Sequence, residues 1–339
     1  MKKVNNVAVI GGGSWATALV KILCDHKQTP DNNLGNIYWW VRHNSLVEYI
    51  KQNHHNPDYL SSIEIHPDLV TVDSNLKEIV KNADIIIIVI PAAFAEESLK
   101  SLNKNDFENK FVVSAIKGLI PSTRQIVGDY LIDKYNIPEK RIGVISGPCH
   151  AEEVANEKLS YLTIASEDQD FARKVAEYLS CRYVKTVVSN DVRGTEYGAV
   201  LKNIYAVAAG ICHGLGYGDN FQAVLMSNAL REMKRFLRNI TDANRKINHS
   251  AYLGDLLVTA YSIHSRNRTF GNMIGLGYTV QNAQLEMKMV AEGYYATKNM
   301  YILNQQMDVK MPILNAVYDI LYNNKPAKKV IEKLTEKLV

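Results

Sequence analysis

The sequence predicts an α/β doubly wound sheet domain followed by an all-α helical domain, and three observations predict it. Strand-like apolar runs alternate with helix-periodic segments through the first half of the 339-residue chain. One of those runs, Asp84–Ile90 (DIIIIVI), is apolar at successive positions, as a parallel strand covered on both faces must be. After about residue 190 the segments become long and helix-periodic, and strand-like runs stop. The expected division is a doubly wound domain over residues 1–190 and an all-helical domain over 191–339.

Each element follows from its local pattern. Val7–Ile10 is a short buried strand, and Ser14–Cys24 has helical spacing. Ile37–Val41 (IYWWV) is a second strand, followed by a helical Leu46–Gln52. Phe111–Ala115 and Ile142–Ile145 continue the series of strands. A direct strand-to-helix passage is expected near Val187–Arg193, because no Pro/Gly/Ser linker separates the halves. Candidate helices then run over Tyr197–Ile211, Phe221–Asn239, Gly254–Ser262, Val280–Met287, Gly293–Asn304 and Ile313–Leu321.

Composition narrows the class. Hydrophobic residues are 47% and charged residues 22%, enough apolar material for sizeable cores. The net charge of +4 suits an anionic small molecule and is too small and scattered for nucleic acid. Cys24, Cys149, Cys181 and Cys212 show neither CxxC spacing nor a paired pattern, as in a reducing compartment, and no metal is implied. Met1-Lys2-Lys3-Val4 runs straight into a strand pattern, leaving no room for a signal peptide. The most apolar run holds about a dozen residues, and a membrane span needs roughly 20. A cytoplasmic location without a membrane span is expected.

The segment Gly11-Gly12-Gly13-Ser14-Trp15-Ala16 fits the G-x-G-x-x-G/A pattern after a strand and before a helix. Gly11 permits the tight turn, Gly13 lets a pyrophosphate approach the backbone, and Ala16 lets the helix pack on the sheet. The phosphate then meets the free N–H groups of that helix. The next strand ends in Arg42-His43 rather than in the acid that binds a ribose 2′-hydroxyl. Arginine there can meet a 2′-phosphate, which favours NADP and still admits NAD; the plainer reading is a solvated strand cap. His54 and His55, in an Asn-rich loop, carry no expected role.

Chemistry is expected beyond the strand ends, where open α/β sheets bind ligands. SAIKGLIPST places Lys117 there, and VISGPCHAEEVA places Gly147 and Cys149. Nothing gives Cys149 a base at a recognisable spacing, so it reads as a packed thiol. Lys202, in GAVLKNIYAVAAG, lies on an apolar helix where desolvation lowers a lysine pKa, unless the chain snorkels to solvent. Asp255 stands near a helix start, and Ser265-Arg266-Asn267-Arg268 reads as a loop after that helix. Such a loop suits a phosphate group, although a solvated basic loop would look similar.

The glycine loop, IKG, SGP, LKN, GDLLVT and SRNRTFG, in this order and spacing, resemble the NAD(P)-dependent glycerol-3-phosphate dehydrogenases over nearly the whole chain. The resemblance implies a Rossmann-like domain followed by a helical one, with the active site between them. It implies reversible reduction of dihydroxyacetone phosphate to sn-glycerol 3-phosphate with NAD(P)H, supplying phospholipid synthesis. By the same resemblance Lys202 is the proton donor and acceptor, with Asp255 beside it. Lys117, Gly147, Asn203, Ser265, Arg266 and Asn267 match substrate-binding positions, with Asp255 and Cys149 added to that set. Gly11, Gly13, Ser14, Trp15, Arg42, His43, Ala151, Val290 and Glu292 match cofactor-binding ones, and Lys117 and Arg266 are assigned to both groups. Cys149-His150 departs from the family's small hydroxyl residue followed by Phe.

Two rival readings differ in what they require. A β-hydroxyacid-type dehydrogenase would share the helix lysine, yet its carboxylate substrate explains two arginines at 266 and 268 less readily. A cofactor-sensing regulator would need neither Lys202 nor Asp255. The oligomeric state is not fixed by the sequence, and a homodimer is retained as an expectation.

Overall fold

The structure, a computed structural model, describes residues 6–30, 32–241, 245–287 and 290–339. The Met1–Val4 segment read above and Met289 of the MVAEG stretch lie outside them. The chain divides into two compact units. The first holds the described residues up to Ile90, with Phe94–Ile116 and Val127–Val192; the second holds Pro91–Ala93, Lys117–Ile126 and Arg193–Val339. Lys117 thus belongs to the same unit as Lys202 and Asp255.

The first unit alternates strictly at its start: β1 (Val7–Ile10), α1 (Ser14–Lys27), β2 (Ile37–Trp40), α2 (Asn44–Asn53), β3 (Val70–Asp73), α3 (Leu76–Asn82) and β4 (Ile85–Ile88). It continues through α4 (Ala92–Leu99), β5 (Phe111–Ser114), α5 (Val127–Tyr135), β6 (Ile142–Ser146), α6 (Ala151–Ala155), β7 (Ser160–Ser166), α7 (Gln169–Tyr178) and β8 (Val184–Ser189). The sheet order is β3-β2-β1-β4-β5-β6-β7-β8. All neighbours are parallel except β6 and β7, which pair antiparallel. The chain winds outward from β1 in both directions, so the strand order reverses between β1 and β4. That reversal opens the crevice in which such sheets bind ligands.

Burial explains which strands the sequence reveals. All of β1 and β4 is buried, which is why both read as continuous apolar runs. The sequence reading passed over β3 and β7, and for β8 it marked only the passage near Val187–Arg193 into the following helix. β3 alternates buried and open positions over four residues, too short a stretch for a period to emerge. β8 lies at the sheet edge with a mixed pattern of exposure.

The second unit is helical throughout its described residues: α8 (Val192–Gly214), α9 (Asp219–Ile240), α10 (Asp255–Tyr261), α11 (Arg266–Gly275), α12 (Val280–Glu286), α13 (Glu292–Met307), α14 (Pro312–Leu321) and α15 (Ala327–Thr335). One π turn, Ser250–Gly254, leads directly into α10. α8 is buried continuously from Gly194 to Cys212 and runs through the core, so it is mostly apolar on every side rather than amphipathic, with Thr195, Glu196, Lys202 and Asn203 as buried polar residues. The strand-to-helix passage expected near 187–193 is the two-residue step between β8 and α8.

Two helices of this unit were not expected. α15 follows the last predicted helix, and α11 replaces the predicted loop at Ser265–Arg268. Ser265 is the N-cap of α11 and its hydroxyl oxygen accepts the N–H of Arg268 at 3.3 Å, so Arg266, Asn267 and Arg268 form a first helical turn. The polar start RNRT hides the apolar period, which begins only at Phe270. No described helix is long and apolar enough to cross a membrane.

Candidate active site

In the first unit the site is made of backbone. Gly11 has φ +140°, and a Cβ there would lie 2.2 Å from the carbonyl oxygen of Val89. This glycine is demanded by the fold, through both its φ and the close approach of the chain leaving β4. Gly13 is different: a Cβ on it would meet no atom within 4 Å. The space in front of Gly13 is open, and α1 begins immediately beyond it. α1 has neither a capping side chain nor an acid in its first turn. Its leading N–H groups therefore await an acceptor from outside the helix. The open face and uncapped helix start fit the pyrophosphate of a dinucleotide. Ser14 is buried and Trp15 half-buried in that first turn.

Arg42 and His43 follow β2, both exposed. The Arg42 guanidinium lies 6.0 Å from the Phe94 ring centre, with Nη2 3.3 Å from Ser98 Oγ, and neither contact caps the β2 backbone. His43 is the N-cap residue of α2 without a side-chain capping bond. At the end of β6, Gly147 has φ +120°, and a Cβ there would press on the Tyr161 carbonyl oxygen at 2.7 Å. Cys149 is buried in the core of this unit and Ala151 opens α6. Burial pushes the Cys24 and Cys212 thiols up to about 12, the behaviour of packed rather than reactive cysteines.

The second unit gathers ionisable side chains. Lys202 is 4% exposed in the middle of α8 and does not snorkel to solvent. Its Nζ donates to Asp255 Oδ1 and, at 3.1 Å, to Thr259 Oγ1. Asp255, 1% exposed at the start of α10, also has Lys117 Nζ 3.6 Å from Oδ2. Two cations thus share one carboxylate. Burial pulls the Lys202 ammonium below the ordinary lysine value, the nearby Lys117 charge acts the same way, and Asp255 opposes them. Thr259, absent from the sequence reading, follows Asp255 by four residues, the spacing that puts both on one helix face.

Carboxamides tie the neighbouring elements together. Asn203 Nδ2 donates to the Lys117 carbonyl at 2.9 Å, and Asn267 Nδ2 donates to Asn203 Oδ1 at 2.9 Å. Asn267 Oδ1 in turn accepts the Gly293 N–H at 2.8 Å. Glu292 Oε1 accepts the Ala92 N–H at 2.9 Å, and a Cβ on Gly118 would lie 2.8 Å from Oε2. Burial pushes the Glu292 carboxyl up to about 7, against the Ala92 N–H and the Arg266 charge. Val290 is half-buried in the segment just before α13.

Four glycines set α11 against α8. A Cβ on Gly210 would lie 2.1 Å from the Arg268 carbonyl oxygen, and one on Gly214 2.3 Å from that of Asn272. From the other side, Gly271 would meet the Val207 carbonyl at 2.1 Å and Gly275 that of Ile211 at 2.3 Å. The two backbones touch, which holds the first turn of α11 at a fixed place relative to Lys202 and Asn203. Arg266 is exposed at the first position of that turn, and the turn has no acid. Arginines at a helix N-terminus oppose the dipole, an arrangement relieved when an anion sits there.

The structure therefore brings Lys117, Lys202, Asn203, Asp255 and Asn267 into one bonded network and places Arg266 beside Glu292. Gly11, Gly13, Ser14 and Trp15 form one turn in the other unit. The Ser265 oxygen accepts the Arg268 N–H as the cap of α11, and that bond leaves its own O–H hydrogen available to donate.

The chain is similar to known proteins along nearly its whole length. The family model described as NAD-dependent glycerol-3-phosphate dehydrogenase N-terminus matches residues 6–172, and its C-terminal counterpart matches 191–332. A protein of an Exiguobacterium strain, named glycerol-3-phosphate dehydrogenase with NAD(P)+, is 36% identical over 97% of this chain and 94% of its own. The Bacillus cytotoxicus protein of the same name is 34% identical over 98% and 95%. Among solved structures, glycerol-3-phosphate dehydrogenase from Coxiella burnetii superposes with a TM-score of 0.90 at 27% identity, covering 98% of this chain and 99% of that one.

Proposed function

This chain belongs to the NAD-dependent glycerol-3-phosphate dehydrogenase family, and from that premise we propose that it interconverts dihydroxyacetone phosphate and sn-glycerol 3-phosphate using NADPH or NADH. The observation that carries the reading is the buried Lys202–Asp255–Lys117 cluster, two cations around one carboxylate in a unit whose helix α11 begins with arginines. When bound, the reduced nicotinamide supplies the hydride for the C2 carbonyl carbon. Gly11, Gly13, Ser14 and Trp15 hold the dinucleotide, with Arg42, His43, Ala151, Val290, Glu292, Lys117 and Arg266 as further contacts. Lys202 as an ammonium stabilises charge developing on the carbonyl oxygen and passes a proton to it. Its lowered pKa eases that transfer. Asp255 and Thr259 fix the ammonium's direction, and Lys117 adds positive field. In glycerol 3-phosphate oxidation neutral Lys202 takes the proton back.

Arg266 is assigned to the substrate phosphate, with Asn203, Asn267, Gly147, Cys149 and Ser265 in the surrounding wall. A guanidinium's rigid fork meets two phosphate oxygens at once, which an ammonium's point charge does less well. Binding energy from that remote group helps position C2 for reduction. The product is the precursor of phospholipid backbones, and a cytoplasmic homodimer completes the reading.

Steady-state kinetics with dihydroxyacetone phosphate, unphosphorylated dihydroxyacetone and each reduced cofactor test this function. The phosphorylated ketone should be turned over and dihydroxyacetone scarcely at all. Arg266→Lys should raise KM for the phosphorylated ketone while discriminating little on dihydroxyacetone. Equal damage to both substrates would remove Arg266 from the phosphate site.

A further inference from the structure

Every carbonyl of the Gly11-Gly12-Gly13 turn is held from behind by a side chain of this unit. Trp39 Nε1 donates to the Gly11 oxygen at 2.7 Å. Asn56 Nδ2 donates to the Gly12 oxygen at 3.0 Å and to Thr17 Oγ1 at 2.9 Å. Thr17 Oγ1 passes its own hydrogen to the Gly13 oxygen at 3.1 Å. Trp39, Asn56 and Thr17 are each 0% exposed. Asn56 Oδ1 accepts the Asp58 N–H at 3.1 Å, so both ends of the carboxamide are engaged.

The arrangement has a direction. A peptide unit fixed by its carbonyl also has its N–H fixed, on the opposite side. Gly12 and Gly13 have no side chains to set that orientation, and glycine explores more backbone states than any other residue. The three donors come from β2, from the loop after α2 and from α1 itself, so the turn is braced by separate elements.

We propose that Asn56, acting with Thr17 and Trp39, is a positioning device for dinucleotide binding: it orients the glycine turn so that its N–H groups converge on the pyrophosphate. The assignment rests on the cofactor site proposed above and extends it to three residues that need not touch the cofactor. Pre-orientation removes the ordering cost that a loose glycine turn would meet on binding.

Dissociation constants for NADPH, measured by fluorescence titration of the full-length protein, test this alongside thermal melts. Thr17→Val keeps the shape of the side chain and removes the hydroxyl; Thr17→Ser keeps the hydroxyl. Asn56→Asp keeps the acceptor for Asp58 and removes both donated hydrogens. Thr17→Val should weaken NADPH binding several-fold, and Asn56→Asp by about tenfold, the scale of one or two lost hydrogen bonds. Thr17→Ser should restore binding to within about twofold of the original, a change too small to represent a lost hydrogen bond. In turnover the loss should appear as a raised KM for the cofactor rather than as a lowered kcat. Lower melting temperatures with unchanged NADPH affinity in Thr17→Val and Asn56→Asp would overturn the proposal, leaving a purely structural brace. Should Asn56→Asp fail to fold, the Thr17→Val and Thr17→Ser pair decides alone. An original protein that binds no dinucleotide would instead overturn the cofactor reading beneath it.

Discussion

The two units build their sites from opposite materials. The sheet unit uses backbone: a glycine turn, an uncapped helix start, and side chains turned away to hold carbonyls. The helical unit uses side-chain charge, with a lysine and an aspartate almost wholly buried and a second lysine beside them. The division follows from the tasks. A pyrophosphate is bound the same way in every turnover, and fixed N–H groups suffice for it. A proton must move at a definite atom, which requires a group whose charge can change. Backbone sites depend on conformation, and side-chain sites depend on electrostatic balance, so each should fail in its own manner.

The largest difference should appear on removing the shared carboxylate. Asp255→Asn takes from the buried Lys202 ammonium the carboxylate it bonds to, with the Lys117 ammonium still nearby. Breaking a buried pair in this way costs about 3–5 kcal/mol of folding stability. The double variant with Lys202→Met should recover much of that stability in denaturant titrations without recovering turnover. An Asp255→Asn protein as stable as the original would show that the pair is not the electrostatic centre of its unit.

In the sheet unit the two glycines should separate folding from binding. Gly11→Ala forces an alanine into a positive φ and against the Val89 carbonyl. The backbone conformation alone costs about 1–3 kcal/mol, visible as a lower melting temperature. Gly13→Ala meets no neighbour within 4 Å, so stability should stay within about 1 kcal/mol while NADPH affinity falls on the order of tenfold. Equal melting temperatures for the two variants would contradict the distinction.

The smallest effect belongs to Arg42, which is exposed and contacts Phe94 and Ser98 only at its margin. Arg42→Ala should weaken NADPH binding more than NADH binding. The upper scale is roughly 1.5–3 kcal/mol for a hydrogen bond to a charged group, reduced here by solvent screening. Equal losses for both cofactors in parallel titrations would mean that Arg42 does not read the 2′-phosphate.

The same contrast explains how much the sequence revealed. Gly11 was legible because a conformational demand leaves a local mark, and Gly13 because it stands at a fixed spacing from Gly11 between a strand and a helix. Lys202 was legible because a lysine on an apolar helix is a local anomaly. Asn56 left no such mark. It lies 39 residues from Thr17 in the chain, and only the fold brings the two together. Thr259 could have been found from its four-residue spacing to Asp255, whereas α11 was missed because its capped, polar first turn looks like a loop. The edge strand β3 was hidden by its exposure, and β8 showed only at its passage into α8, since a strand open to solvent need not be apolar.

The most direct test measures two quantities on one sample of Lys202→Met: NADPH affinity and turnover of dihydroxyacetone phosphate. Methionine replaces the ammonium at a buried position of a mostly apolar helix, while the glycine turn in the other unit is untouched. NADPH should bind nearly as in the original protein, and kcat should fall by about 100-fold or more, the scale of a lost general acid. Original turnover in a folded Lys202→Met protein would contradict the account.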